Sequence, residues 1–533
     1  MPTSHDTDTI VVGSGHNALI CAAYLAKAGR RVLVLERDSV IGGAVSTVER
    51  FPGYAIDRGS SAHLMIRHTG ILEDLDLASH GLQYVDCDPW AFAPAAPDDD
   101  RPPLIFRHNL DDTCESIEAA CGPRDADNYR RFVACWQPRT ERVLAAFGRA
   151  PSGPELLRSF WGLPTPDGGS ALGREFLMTG DFLLDRWFED ERLKAALAWF
   201  AAQSGPPMSE PGTAPMVGFA AAMHLIPPGR AIGGSGSLTR ALAALITDRG
   251  GEVRTSSPVV EIRRVSHGLV VRTGDGVEIT APTVVAGCHI STTLDLLAAG
   301  GADENTIADR RDAIRVGNGI GMVVRIGAGE LPRYRGIDDP AVTATGLQLL
   351  VTDRAQLHLA HGAASAGQLP PRPAVLAMSF SAVDPSISPP GKQQLSLWSQ
   401  WHPYRLADGR RWRGGAVRDL AELEADRIVG ELDRYAPGFA DTIEHRYTQS
   451  PEDLESELDL RAGNVMHIDM SLDQMMMWRP TADLSGYRVP GTPGLYLTGA
   501  STHPGGGVNG ASGRTVAHLV LLDGRRRRMR LLR

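Results

Sequence analysis

Cysteine is scarce in this chain. Its 533 residues hold six, Cys21, Cys87, Cys114, Cys121, Cys135 and Cys288. No two of them form a C-x-x-C pair, so neither a zinc site nor a redox dithiol is expected, and no metal is. So few cysteines in so long a chain fit a reducing, cytoplasmic setting. No apolar run reaches the length of about 18 residues that a spanning helix needs. The opening stretch MPTSHDTDT is polar and lacks a basic n-region, so no signal peptide is expected. Basic residues are not in excess: 54 Lys and Arg face 63 Asp and Glu, a net charge of −9, which argues against nucleic acid as a main partner. Hydrophobic content of 43% and charged content of 22% are ordinary for a globular protein. The length suits two or more domains, or one large discontinuous one.

The most informative stretch is Ile10 to Thr47, IVVGSGHNALICAAYLAKAGRRVLVLERDSVIGGAVST. Ile10 to Val12 is a short apolar run suited to a buried parallel strand. Gly13, Ser14 and Gly15 form a tight turn in which the missing Cβ atoms let the backbone approach a pyrophosphate. Asn17 to Ala28 is helix-forming, and Ala18 stands where a small residue packs helix on strand. The pyrophosphate is expected on the N–H groups at that helix start. Gly29 ends the helix. Val32 to Leu35 is a second strand, with Glu36 at its end, where a carboxylate meets ribose hydroxyls. The whole unit, in register, points to dinucleotide binding. Arg37, Gly42, Gly43, Ala44, Val45 and Thr47 then resemble the E-R-x-x-x-x-G-G-x-x-x-T extension of FAD enzymes of the glutathione-reductase type, in which the double glycine passes close to the cofactor.

Tyr54 to Asp57 reads as a short strand, and Arg58 to Ser61 as a turn toward a helix. In such FAD enzymes the matching F-x-x-D-x-G segment returns along the flavin, which implies Ser61 as a contact. His63 follows; it is either an acid or base or a satisfied core histidine. Asp98 to Pro103 reads as a charged hinge. Residues 104 to 225 are mostly helical in pattern, with Pro138 expected to kink or split the helix Asn128 to Phe147. Pro151 to Gly169 reads as a loop. A unit G-G-x-G-x-L at 233–238 then leads through a helix to Asp248, strands at 252–255 and 258–262, a hairpin around Gly274 to Gly276, and a strand at 283–286. It returns the chain to the dinucleotide domain, and the resemblance implies that the Val259 backbone meets the adenine side. Val316 to Ile326 has several glycines but reads as a strand rather than a second nucleotide turn. Ala374 to Ser379 reads as a strand and Ala416 to Tyr435 as a helix, which suits a second, mixed domain. The run Met475-Met476-Met477 suits a core or an adaptable apolar surface. Near the end, a strand at 494–498 leads into Gly499 and Ala500. The turn His503 to Ala511 then opens a helix to about Leu522, and a glycine-rich helix start is again an anion site, here for the reduced flavin. The basic tail Gly524 to Arg533, with Leu531 and Leu532, is either a weak lipid-surface contact or a solvated terminus.

The segments GSGHNA at 13–18, GG at 42–43, GGSGSL at 233–238, GNVMHIDMSLDQ at 463–474 and TGASTHPGGGVNGA at 498–511 together resemble the phytoene desaturase-related FAD oxidoreductases, within them the pyridine nucleotide-disulphide oxidoreductase domain-containing branch. The resemblance spans nearly the whole chain. It implies an α/β plus α+β architecture: a discontinuous Rossmann-like FAD domain of the glutathione-reductase type, with an inserted substrate domain. The limits expected here are 1–75, 230–300 and 490–533 for the FAD domain, and 76–229 with 301–489 for the substrate domain and its helical block. FAD contacts are expected from Gly499, Ala500, Gly507, Val508 and Asn509 besides those above. Ala44 departs from the arginine of many carotenoid desaturases, and Gly499-Ala500 from the glycine–acid pair of disulphide reductases.

The expected function is FAD-dependent removal of hydride from a C–H bond of a largely apolar small molecule, by desaturation or oxidation, with oxygen or a quinone as acceptor. A flavin-dependent isomerase, or a carrier like the Rab GDP-dissociation inhibitors, is the alternative. The intact first turn and Glu36 argue against the carrier. Acid–base candidates are His503, His63, His467 and Asp469. A cytoplasmic place, at most peripheral to a membrane, is expected, and a homo-oligomer is left open.

Overall fold

A computed structural model describes residues 7–154 and 174–531. Its first layer is a five-stranded, fully parallel sheet in the order Leu495–Leu497, Thr283–Ala286, Thr9–Val12, Val32–Leu35, Glu252–Arg254. Three distant parts of the chain thus build one sheet. Strand alternation divides its side chains. Val11, Val34 and Val285 face the helices, whereas Ile10, Val12, Leu33 and Leu35 face a three-stranded meander, Val259–Val265, Gly268–Thr273 and Glu278–Ala281. The helix His16–Lys27 is apolar almost all round because it is enclosed by the helices Gly236–Asp248 and Ala511–Leu531.

The second layer is a seven-stranded sheet in the order Ile443–Gln449, Gly321–Ala328, Gln393–Gln400, Ala374–Met378, Leu347–Leu350, Ala91–Ala93, Leu104–Phe106. Every pair is antiparallel except Leu347–Leu350 with Ala91–Ala93. The helix Leu420–Tyr435 covers one face through Ala425, Ile428 and Leu432. A helical block, led by Pro123–Phe147 and Glu191–Ala202, packs Tyr129, Trp136 and Trp199 against other residues of the same sheet.

Several expectations change here. Asp98 to Pro103 is not a hinge: it connects two paired strands of one sheet, with Ala91 opposite Phe106 and Ala93 opposite Leu104. Pro138 does not split its helix, which runs unbroken from Pro123 to Phe147. Buried Phe132, Trp136 and Arg139 hold it on either side of the proline, and Arg139 Nη1 donates to Cys135 O at 2.8 Å. The expected strand at 316–326 begins only at Gly321, because Gly317 and Gly319 take left-handed φ values of 86° and 84°. The C-terminal helix continues past Leu522 to Leu531. The loop expected at Pro151 to Gly169 lies outside the described residues from 155 on, and so does Leu532 of the basic tail. No described helix is long and apolar enough to cross a membrane.

Candidate active site

The site starts at the first turn. Gly13 has φ +91°, and its N–H donates to Leu35 O at 2.8 Å, which aims the chain across the ends of the parallel strands. A Cβ on Gly15 would meet nothing within 4 Å, so the backbone borders open space there. Ser14 ties three segments together. Its hydroxyl donates to Glu36 Oε2 at 2.6 Å and accepts from Gly42 N at 3.0 Å, and its own N–H donates to the same Glu36 oxygen at 2.8 Å. Glu36 Oε1 accepts from Asp38 N at 2.8 Å. Gly42 has φ +106°, and a Cβ there would overlap Val45 O and the Thr239 hydroxyl, so only glycine fits. Gly42 bridges to Gly15, which brings the double glycine beside the first turn. Asn17 Oδ1 is buried without a partner, an acceptor left for a bound molecule.

The second turn approaches from the far end of the chain. Thr498 and Thr502 hydroxyls each bond Ser512 Oγ at 2.8 Å, and Gly499 N donates to it at 3.1 Å. Gly499, Gly505 and Gly507 take φ values of 102°, 118° and 89°, which carry the chain to the start of the helix Ala511–Leu531. Asn509 Oδ1 accepts from Ala511 N at 2.9 Å, so its side chain is spent on that helix start.

Both turns border one cavity of about 620 Å³, within the range of about 300–1,000 Å³ usual for small-molecule sites. Gly13, Ser14, Gly15, Asn17 and Ala18 line it, with Glu36, Arg37, Gly42, Gly43, Ala44, Val45, Ser61 and Val259. Gly499, Ala500, Gly507 and Val508 complete that side; Asn509 does not reach it. The opposite wall comes from the seven-stranded sheet and the helical block. It includes Phe200, Val323, Leu376, Met378 and Trp398, and Met470 joins it from the irregular stretch at 463–474.

Of the four acid–base candidates, His467 alone lies on the cavity wall. Its backbone is left-handed, φ 68°, its ring stacks on His289 at 5.0 Å, and Nδ1 bonds Ser501 Oγ at 2.9 Å. Burial, then the neighbouring His289 and Arg479, push its pKa well below the ordinary histidine value, so the ring is neutral. His63 is spent inside the fold, with Nδ1 on Tyr84 OH at 2.6 Å and Nε2 on Ser235 Oγ at 3.0 Å. His503 points the other way from the turn it precedes: Nε2 reaches Ala146 O at 3.4 Å, the ring meets Phe147 edge-on, and Nδ1 has no partner. Asp469 pairs with Arg315 at 3.8 Å, away from the wall. Burial holds its carboxyl above the usual range.

Sequence reasoning missed His16, Cys288, His289 and Arg325, all of which line the cavity. His16 was legible as part of the turn itself. Arg325 was legible as the one charge in the apolar run GMVVRIGA. Cys288 and His289 follow a strand end at which nothing in the residue types marks a ligand. No group of three His, Cys, Asp or Glu side chains that could hold a metal ion occurs among the described residues.

The cradle of open glycine backbone, the orphaned Asn17 oxygen and the acidic strand end fit FAD. The family description "Flavin containing amine oxidoreductase" matches residues 19–299. Pyridine nucleotide-disulfide oxidoreductase domain-containing protein 2 of Rattus norvegicus is 31% identical, over 97% of this chain and 93% of that protein. Phytoene desaturase (lycopene-forming) of Pseudescherichia vulneris is 26% identical, over 97% and 99%. A solved structure of wild-type putrescine oxidase bound to putrescine shares the fold with a TM-score of 0.63 at 14% identity, covering 97% of this chain and 99% of that one. The chain therefore belongs to the FAD-dependent, flavin-containing amine oxidoreductase family, among relatives that include this domain-containing protein 2 and the phytoene desaturases.

Proposed function

We propose that this flavoprotein removes hydride from a C–H bond of a largely apolar small molecule, as a desaturase, dehydrogenase or oxidase. One observation carries the reading: the two glycine turns and an apolar wall enclose the same cavity. Bound FAD supplies the hydride acceptor. The chain's own residues bind and orient. Gly15 to Ala18 would present the backbone N–H groups of the helix start to the pyrophosphate, and Glu36 with Arg37 would meet the adenosine ribose. The 42–45 loop, Ser61 and Val259 follow the cofactor, while Gly499, Ala500, Gly507 and Val508 border its ribityl and pyrimidine end. Leu376, Met378 and Trp398 exclude water from the reacting C–H bond. The FAD domain, of the glutathione-reductase type, comprises 1–75, 230–300 and 490–533, and the remainder forms the substrate domain. Oxygen or a quinone takes the electrons.

The test is anaerobic mixing of the FAD-loaded protein with phytoene and, separately, with putrescine, following loss of the visible flavin band. Of these two probes, any bleaching is expected from the apolar polyene and none from the diamine. Bleaching by the diamine alone would overturn the proposal.

A further inference from the structure

Arg325 stands on the strand Gly321–Ala328, is 1% exposed, and still lies on the cavity wall. Its guanidinium makes three bonds: Nε to Gln449 Oε1 at 3.2 Å, Nη1 to Ser396 Oγ at 2.9 Å, and Nη2 to Arg58 O at 3.1 Å. A guanidinium has five N–H donors, so two remain. None of its three partners is charged. The carboxylates around it already have arginines of their own. Asp57 is held by Arg230, Glu457 by Arg50 at 2.5 Å, and Asp38 by Arg58 at 2.6 Å. Arg325 is the cation left over. Burial lowers its pKa to about 10, partly offset by Asp57, so it is still charged at neutral pH. An uncompensated cation out of water is costly unless an anion meets it. The neighbouring wall offers Val323, Met378 and Trp398, which cannot.

We propose that Arg325 is an anion-binding position of the substrate site, and that the substrate is amphipathic, with an apolar body and a carboxylate head. This rests on the reading of the cavity as the substrate site. It also sets the chain apart from an amine oxidase, since a cation on the wall repels an ammonium group. The same guanidinium could instead serve an anionic part of FAD, and the experiment separates these two sources.

The FAD-loaded, oxidised protein is titrated with decanoate, decanol and decylamine, following perturbation of the flavin spectrum, while FAD content is measured on the same samples. Decanoate is expected to bind about tenfold or more tighter than decanol, the scale of one charge-assisted hydrogen bond, and decylamine more weakly than either. Arg325→Met should abolish the preference and keep its FAD, and Arg325→Lys should retain much of it. Equal binding of decanoate and decanol overturns the anion site but leaves the apolar cavity standing. A preference that survives Arg325→Met also overturns it. Loss of FAD from Arg325→Met without a carboxylate preference in the unaltered protein assigns the cation to the cofactor. If none of the three probes binds, the cavity reading fails with it. Should Arg325→Met not fold, the ranking of the three probes on the unaltered protein decides the matter.

Discussion

At the scale of single residues, Glu36 is bonded on three sides before any ligand arrives: by the N–H and the hydroxyl of Ser14, and by Asp38 N. Its carboxylate therefore shapes the turn, besides the ribose contact proposed for it. Glu36→Ala leaves these donors unpaired in a buried place, at a cost of about 1–3 kcal/mol each where water cannot replace the carboxylate. We expect the variant to lose FAD affinity by more than about tenfold and the cofactor-free protein to melt lower as well. FAD titration and thermal unfolding of the cofactor-free form measure the two effects. Unchanged FAD affinity would mean that the cofactor lies elsewhere. His467 gives a second expectation. A base whose pKa lies far below the working pH takes a proton poorly, and burial holds His467 in that state. His467→Ala should then slow single-turnover flavin reduction by less than the roughly 10²–10⁴-fold of a true acid or base, and the rate should show no limb from this group at the ordinary histidine pKa of about 6.5. A larger loss with FAD retained would make His467 the base. The glycines and Glu36 were legible because backbone chemistry dictates them locally. The histidines were not, because which way a ring points depends on partners far away in sequence, as Tyr84 and Ser235 do for His63.

At the scale of elements, the strands and helices that build the parallel sheet stand close to where their apolar runs and glycine stops put them. The departures have physical causes. A proline inside a helix ordinarily breaks it, yet the helix Pro123–Phe147 is held by the buried aromatics Tyr129, Phe132 and Trp136 before Pro138 and by buried Arg139 and Thr140 after it. A charged, proline-containing segment reads as a hinge when its flanking strands are only three residues long, as Ala91–Ala93 and Leu104–Phe106 are. The helix Leu420–Tyr435 carries a further consequence. Glu424, 1% exposed, accepts from His402 Nε2 at 3.0 Å and pairs with Arg427 at 2.8 Å. Burial alone would raise its carboxyl, but the bond from His402 and the charges of His402 and Arg427 outweigh it, and the net value lies below the ordinary one. A carboxyl lowered in the folded state contributes stability that is present above its unfolded pKa, about 4.3, and is lost as pH falls through the folded value. Thermal unfolding followed from pH 7 downward should show this acid limb, and Glu424→Gln should flatten it. An unchanged limb in the variant would place the acid sensitivity in other carboxylates.

At the scale of the whole molecule, one sheet gathers strands from both ends and the middle of the chain, and the second sheet closes over its ligand edge. That return was legible because the G-G-x-G-x-L unit and the terminal glycine turn both announce helix starts, and helix starts are where a doubly wound sheet binds anions. The far wall was not legible, since its apolar side chains look the same whether they pack a core or line a cavity. The architecture also bears on how the cofactor is reoxidised. A second dinucleotide would need a second strand–turn–helix unit with its glycine turn at a strand end. The glycine-bearing stretch after Val316 does not supply one: Gly317 and Gly319 lie before the strand Gly321–Ala328, and that strand pairs antiparallel on both sides, with Gln393–Gln400 and Ile443–Gln449. The parallel sheet lines the cavity with its glycine turns at Gly13 to Ala18 and at Gly499 to Val508, and the proposed FAD takes up both. We therefore expect no built place for a nicotinamide dinucleotide beside the flavin among the described residues. Stopped-flow mixing of the FAD-loaded protein with NADH or NADPH, without oxygen, should show only slow reduction that rises linearly with concentration, as an unbound encounter does. Saturating reduction at turnover rates would require a nicotinamide site within the cavity itself, and the apolar wall would then be part of a cofactor pocket instead of a substrate pocket.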